Sequence, residues 1–246
     1  MFKYPKTMHL EQSRLQSGDA QERIKFSSLL GKNIVIEEKV DGANAGISFE
    51  RGELRLQSRG HYLTGGARER HYELFKREGA EKRDELYSIL GERFILFGEW
   101  LYAKHKVYYD ALPSLFLEFD IYDKERGVFL DTPSRRKMLF GSSVLSVPLL
   151  YEGKGESKKH ILSFLKNSAF ITENHLLNLQ KTCLSLGLDY AKALDETDPS
   201  PLMEGLYIKV EEGGVVRERM KFVRDSYIQP SAENWLRKPI IPNKLK

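Results

Sequence analysis

The chain has 246 residues, 41% hydrophobic and 30% charged, the profile of a globular rather than a disordered chain, with enough length to bury a sizeable core. Its net charge of +4 hides local clusters of cations at Arg51 to Arg70, Arg135-Arg136-Lys137, Lys154 to Lys159 and Arg217 to Arg224, an arrangement that suits a polyanionic partner. The single cysteine, Cys183, excludes an intrachain disulfide and a cysteine-built zinc site, and no stretch reaches signal-peptide or bilayer-spanning character, so a cytoplasmic protein with no membrane partner is expected.

In chain order, short runs rich in β-branched and aromatic residues predict strands over Asn33–Glu38, Ala45–Glu50, Glu53–Ser58, Phe94–Leu101 and Leu115–Tyr122. Arg51-Gly52 reads as a tight hairpin between the second and third of these. Between them and the later strands, Arg70–Leu90 changes to a helical period, and Thr132-Pro133-Ser134 reads as the capped start of a helix over Arg135–Phe140. Residues 156–195 look helical as well, with apolar positions three and four apart in His160–Lys166 and Glu173–Leu186. Strand signals return at Gly205–Val210 and Val215–Val223, on either side of a turn at Glu211–Gly214. The expectation is an α+β fold, mainly antiparallel, in one domain over 1–246 with a mainly helical insertion at about 156–195.

The stretch Glu37-Glu38-Lys39-Val40-Asp41-Gly42-Ala43-Asn44 follows the apolar run Ile34-Val35-Ile36, so Lys39 falls at the end of a buried strand. Burial there disfavours the ammonium and is expected to lower its pKa, which is how an amine becomes a nucleophile. Gly42 is expected to let the backbone approach a ligand, and Asn44 to offer a neutral donor in the same loop. The alternative is a snorkelling lysine paired with Glu38 or Asp41.

Further along the chain stand Ser58-Arg59-Gly60, Phe97-Gly98-Glu99-Trp100, Phe116-Leu117-Glu118-Phe119-Asp120-Ile121, Glu204-Gly205-Leu206-Tyr207-Ile208-Lys209 and Met220-Lys221-Phe222-Val223. With Lys39-Val40-Asp41-Gly42 these six segments resemble, in order, the motifs of the covalent nucleotidyltransferases, and most closely the ATP-dependent RNA ligases of the RNA ligase 2 type. The resemblance covers residues 37–224. It implies an ATP-grasp-like adenylyltransferase domain of antiparallel sheets flanked by helices. ATP would be the co-substrate, Mg2+ or Mn2+ the metal, and RNA with 5′-phosphate and 3′-hydroxyl ends the partner, as in RNA repair.

On this reading Lys39 is the nucleophile and takes AMP. Cations for the phosphates are Arg59, Lys209 and Lys221; Phe119 offers the base a flat face; Glu204 is a hard oxygen ligand for the metal. The resemblance gives Glu99 the ribose hydroxyls, and Glu37 is placed to help read the base. Each residue alone also has a plain alternative: Phe119 as core, Glu99 as a strand-end acid, Lys209 and Lys221 as solvent-facing, Arg59 paired with Glu53. His61 and His105 are expected to be ordinary polar residues near the cleft.

Two departures stand out. Only 25 residues follow Lys221, too few for a C-terminal OB-fold or helical domain, so substrate grip is expected from Arg135-Arg136-Lys137, from Lys154–Lys159, or from a protein partner. Val223 also stands where a second cation is expected after Lys221, with Arg219 or Arg224 as the substitutes at hand. The competing readings are a DNA ligase or GTP-dependent guanylyltransferase of the same superfamily, and a non-catalytic nucleic-acid-binding module.

Overall fold

In the computed structural model, which describes residues 1–15, 22–227 and 239–246, the chain builds two six-stranded sheets. The first runs in the order β10 (Leu149–Lys154), β3 (Asn33–Lys39), β11 (Gly205–Glu212), β12 (Val215–Val223), β1 (Met8–Leu10) and β2 (Arg23–Ile24). Its central pairs are antiparallel, whereas β1 lies parallel to both β12 and β2. The second sheet runs β5 (Glu53–Ser58), β4 (Ala43–Glu50), β6 (Phe94–Trp100), β7 (Phe116–Asp123) and β8 (Val128–Phe129), with β9 (Leu145–Ser146) parallel to β7. The mixed, mainly antiparallel architecture matches the α+β expectation.

Every strand expected from composition forms, within two residues at each end. Not anticipated were β1, β2, β8, β9 and the half-exposed edge strand β10, because two- and three-residue strands and a polar edge carry little periodicity. The hairpin at Arg51-Gly52 has φ of 53° and 75°, the left-handed pair that a two-residue connection requires to match strand twist.

The single helix expected over Arg70–Leu90 is instead a short 3-10 turn followed by α1 (Glu73–Glu81) and α2 (Arg83–Leu90), separated at Lys82, which has left the helical region. The helix α3 (Thr132–Leu139) starts three residues before the expected Arg135: Asp131 is the cap, its carboxylate accepting the Ser134 N–H at 3.1 Å. In the 156–195 region lie α4 (Lys158–Leu162), α5 (His175–Ser185) and α6 (Tyr190–Asp195). Cys183 is a buried residue of the small cluster that α5 and α6 make with Tyr108. No helix among the described residues is long and apolar enough to cross a membrane.

The two-residue period of the first sheet decides which face carries chemistry. Ile34 and Ile36, Leu206 and Ile208, Met220 and Phe222 point to one side and join Leu10, Phe26, Leu29 and Ile161 of α4 in an apolar core. The opposite side carries Glu37, Tyr207, Lys209, Arg219 and Lys221, which pair across β3, β11 and β12. That polar face meets the second sheet, whose own far side is closed by Phe75 of α1 and by Leu86 and Leu90 of α2.

Charge, not only apolar contact, therefore joins the sheets. Lys209 is fully buried, with Nζ 2.7 Å from Glu37 and 3.1 Å from Asp120. Arg135 of α3 binds Glu37 at 2.5 Å and Glu118 of β7 at 2.7 Å. Tyr4 donates to Asp120 at 2.5 Å and its hydroxyl also meets that of Tyr207. This corrects the expectation for Arg135-Arg136-Lys137: Arg136 and Lys137 are exposed, but Arg135 is a buried tie between sheets and no part of a basic surface.

Candidate active site

Lys39 ends β3 and is in register with Gly205 of β11. A Cβ on Gly205 would lie 1.9 Å from the Phe222 carbonyl oxygen, so only glycine lets β11 and β12 close at this point. The adjoining Glu204 is thereby set against the lysine, with Oε2 2.6 Å from Lys39 Nζ. The Lys39 side chain retains 23% exposure while that of Glu204 retains 2%, so the lysine is the solvent-reachable member of the pair. Glu99 comes from the end of β6, in register with Asn44 of β4, and accepts the Gly42 N–H at 3.2 Å.

Gly42 itself was expected to make room for a ligand. A Cβ there would instead meet the Trp100 carbonyl and Leu101 at 2.7 Å and Glu99 at 2.9 Å, so the close approach is to the end of β6. Asp41 fixes the turn: its N–H donates to the Tyr109 hydroxyl at 2.8 Å, and its carboxylate accepts the N–H groups of Lys106 and Val107 at 2.7 and 2.9 Å. Asn243 holds Tyr109 in turn, accepting its N–H at 2.9 Å.

Three acids thus surround one ammonium, and they set its proton affinity. Burial pushes the Lys39 pKa down, but Glu204, Glu99 and Asp41 together outweigh it and hold the pKa above the ordinary lysine value. The expected depression is not found, because the carboxylates outweigh the effect of burial. Burial raises Glu204, with Lys39 opposing. Burial also raises Glu99, to about 7, against the pull of Lys39 and Arg59. Asp41 goes the other way: burial would raise it, but His105, whose Nδ1 lies 3.9 Å away, and the backbone donors hold it low.

The remaining sequence candidates are placed as follows. Asn44 lies on β4, not in a loop, and its Oδ1 is buried without a hydrogen-bond partner. Arg59 is exposed just beyond β5, and its charge is felt at Glu99. The charge of Lys221, on β12, is felt at Glu204. Phe119 on β7 is half-buried, edge-on to Tyr4 with ring centres 5.3 Å apart and tilted against Tyr207 at 6.0 Å. Glu37 and Lys209 are bound to each other in the buried ties between the sheets.

Sequence reasoning missed the segment from Leu101 to Asp110, which supplies Lys106, Val107 and Tyr109 to the lysine turn. It has no strand or helix period, and its only signal is the cation-rich stretch Lys104-His105-Lys106. Among the described residues no three His, Cys, Asp or Glu side chains converge to hold a metal by themselves. Glu204 and its acidic neighbours fit a divalent cation that arrives with phosphate oxygens to complete its shell, the usual habit of magnesium.

A family model described as RNA ligase matches residues 32–223, a span that takes in all the candidate site residues. No curated protein sequence matches the chain. Solved structures similar in fold include a Naegleria gruberi RNA ligase variant with ATP and Mn, at 14% identity and TM-score 0.51, the match covering 92% of this chain and 61% of that one. A second variant with AMP and Mn gives 16% identity and TM-score 0.53, covering 90% and 60%. The same ligase with PPi gives 15% identity and TM-score 0.51, covering 90% and 60%. The chain therefore spans about three fifths of the length of these structures.

Proposed function

The chain belongs to the RNA ligase family, and from that premise we propose that it is an ATP-dependent RNA ligase that joins 5′-phosphate and 3′-hydroxyl ends through AMP carried on Lys39. The observation that carries this reading is the Lys39–Glu204 pair at 2.6 Å, with Glu99 and Asp41 beside it, assembled from segments that lie far apart in sequence. The Naegleria structures with ATP, AMP and PPi support the choice of nucleotide.

Glu204, 2.6 Å from Lys39, favours the ammonium. A divalent cation, Mg2+ or Mn2+, would supply charge neutralisation at the phosphates, with Glu204 among its ligands. With Glu204 shared by such a cation, the burial of Lys39 would act against its charge and favour the free amine. Lys39 Nζ then attacks the α-phosphorus: the N–P bond forms and the P–O bond to pyrophosphate breaks. Arg59 and Lys221 face the charge on the phosphates, Glu99 accepts from the ribose hydroxyls, and Phe119 offers its face to the adenine. AMP passes next to the RNA 5′-phosphate, and the 3′-hydroxyl attacks that phosphate and releases AMP. Glu37 and Lys209 act from beneath, fixing β3 and β11 relative to β7. Arg136, Lys137 and the Lys154–Lys159 segment supply the exposed cations for the RNA backbone.

The test is incubation with α-labelled ATP, and separately GTP, with magnesium, followed by a denaturing gel, for the wild type and Lys39→Ala. Label from ATP on the wild type alone is the expected result. Label from GTP would move the chain to guanylyl transfer. No label on protein freed of bound AMP would leave only a nucleic-acid-binding role. Sealing of nicked RNA against nicked DNA then separates the RNA ligase reading from a DNA ligase.

A further inference from the structure

Lys106 is 7% exposed, its Nζ is buried without a hydrogen-bond partner, and it lies over the Tyr227 ring, 4.4 Å from Nζ to centroid. Its backbone is tied to the lysine turn through the 2.7 Å bond from its N–H to Asp41. Burial depresses its pKa, with the Asp41 and Glu204 carboxylates pulling the other way and the Lys39 charge adding to the depression, so the amine lies within electrostatic reach of the site. An amine buried without an acceptor is costly, and a ring face offsets only part of that cost.

The charge balance of the site changes when Lys39 takes AMP. The ammonium that faced Glu204 becomes an uncharged phosphoramidate nitrogen, and a phosphate anion is added, so the site becomes two units more negative. A cation beyond Arg59 and Lys221 would offset this, and Arg219 and Arg224, the substitutes nearest Lys221, are committed elsewhere. Arg219 lies 3.7 Å over the Phe129 ring, with Asp120 at 3.6 Å. Arg224 is bound to Asp198, to Ser200 and to the Met203 carbonyl. Val223, across Gly205 from Lys39, offers no charge. Lys106 lies beside this same strand end, because Tyr227 follows Val223 by four residues.

We propose that Lys106 is a phosphate-binding residue whose flexible four-carbon stem turns its amine from the Tyr227 ring to the α-phosphate carried by Lys39. This rests on the reading of Lys39 as the residue that accepts AMP. The test uses Lys106→Met, which keeps an unbranched stem against Tyr227, and Lys106→Arg, which keeps the charge. Each protein is loaded with ATP and magnesium and then titrated with inorganic pyrophosphate, and the remaining adduct is counted on a denaturing gel. The Met variant is expected to lose its adduct at about tenfold lower pyrophosphate or less, the scale of one charge-assisted hydrogen bond. The Arg variant is expected to stay near the wild type. Should Lys106→Met fail to fold, Lys106→Gln serves the same comparison.

A Met variant with the wild-type pyrophosphate midpoint overturns the proposal and leaves Lys106 a packing residue, with Lys39 still the nucleophile. A wild type that forms no adduct at all removes the Lys39 reading and this role with it.

Discussion

Replacing Arg135 with methionine removes the tie between β3, β7 and α3 while keeping most of the side-chain volume. Arg135 binds Glu37 at 2.5 Å and Glu118 at 2.7 Å, and all three side chains are 3% exposed or less. Glu37 keeps Lys209 at 2.7 Å, but among the described residues Glu118 keeps only the Ser146 hydroxyl at 2.6 Å as a side-chain partner. Glu118 is then a buried carboxylate without a cation, and breaking a buried pair in this one-sided way costs about 3–5 kcal/mol. For a chain of this size that is a fall in Tm of roughly 6–20 °C, at about 2–4 °C per kcal/mol. Arg136→Met is the control: that side chain is 54% exposed and reaches Glu152 only at 3.8 Å, so its loss is expected to be within about 0.5 kcal/mol. Thermal and urea unfolding of both variants at neutral pH measure the difference. Adding Glu118→Gln to Arg135→Met should recover part of the loss, because the unpaired charge is gone. If Arg135→Met unfolds within about 1 kcal/mol of the wild type, the buried ties do not hold the sheets together and the electrostatic account of the interface is wrong.

Glu38 gives a pH dependence of definite sign. Burial raises its pKa from 4.5 to about 7, so between those values the folded state holds a proton that the unfolded state has released. Stability therefore falls as pH rises through that window, by about 3 kcal/mol at most, and Glu38→Gln should flatten the fall in unfolding free energy measured from pH 4.5 to 7.5. Gly42→Ala places a methyl 2.7 Å from the Trp100 carbonyl and 2.9 Å from Glu99, and is expected to cost about 1–3 kcal/mol and to slow lysine adduct formation; unchanged values in both assays would refute the close-packing argument. Arg51→Asn puts a residue that tolerates the left-handed region at φ 53° and is expected to raise unfolding free energy by a few tenths to about 1 kcal/mol, with adduct formation unaltered.

Strands β3 to β7, β11 and β12 were legible because β-branched and aromatic runs have a two-residue period, and Glu53–Ser58 and Val215–Val223 are bounded as composition suggests. The candidate residues were legible as motifs in order, since Lys39, Glu99 and Glu204 each sit at a strand end next to a glycine or a turn. Sequence alone could not separate Arg135 from Arg136, which read alike in a string. One faces Glu37 and Glu118 between sheets and the other faces solvent, because a helix turns about 100° between neighbours. Lys209 was hidden for a related reason: its alternation on β11 says that it faces away from the apolar core, but only the second sheet, packed on that face, makes the position buried.

Local sequence determined the strands, the turns that need glycine and the order of the chemical groups, because these depend on backbone sterics and on neighbours a few residues away. The tertiary structure decided which charges meet. The Lys39 pKa is raised and not lowered because Glu204 lies 2.6 Å away, although 165 residues along the chain separate the two. Coulombic interaction acts over a few ångströms of space and takes no account of sequence separation.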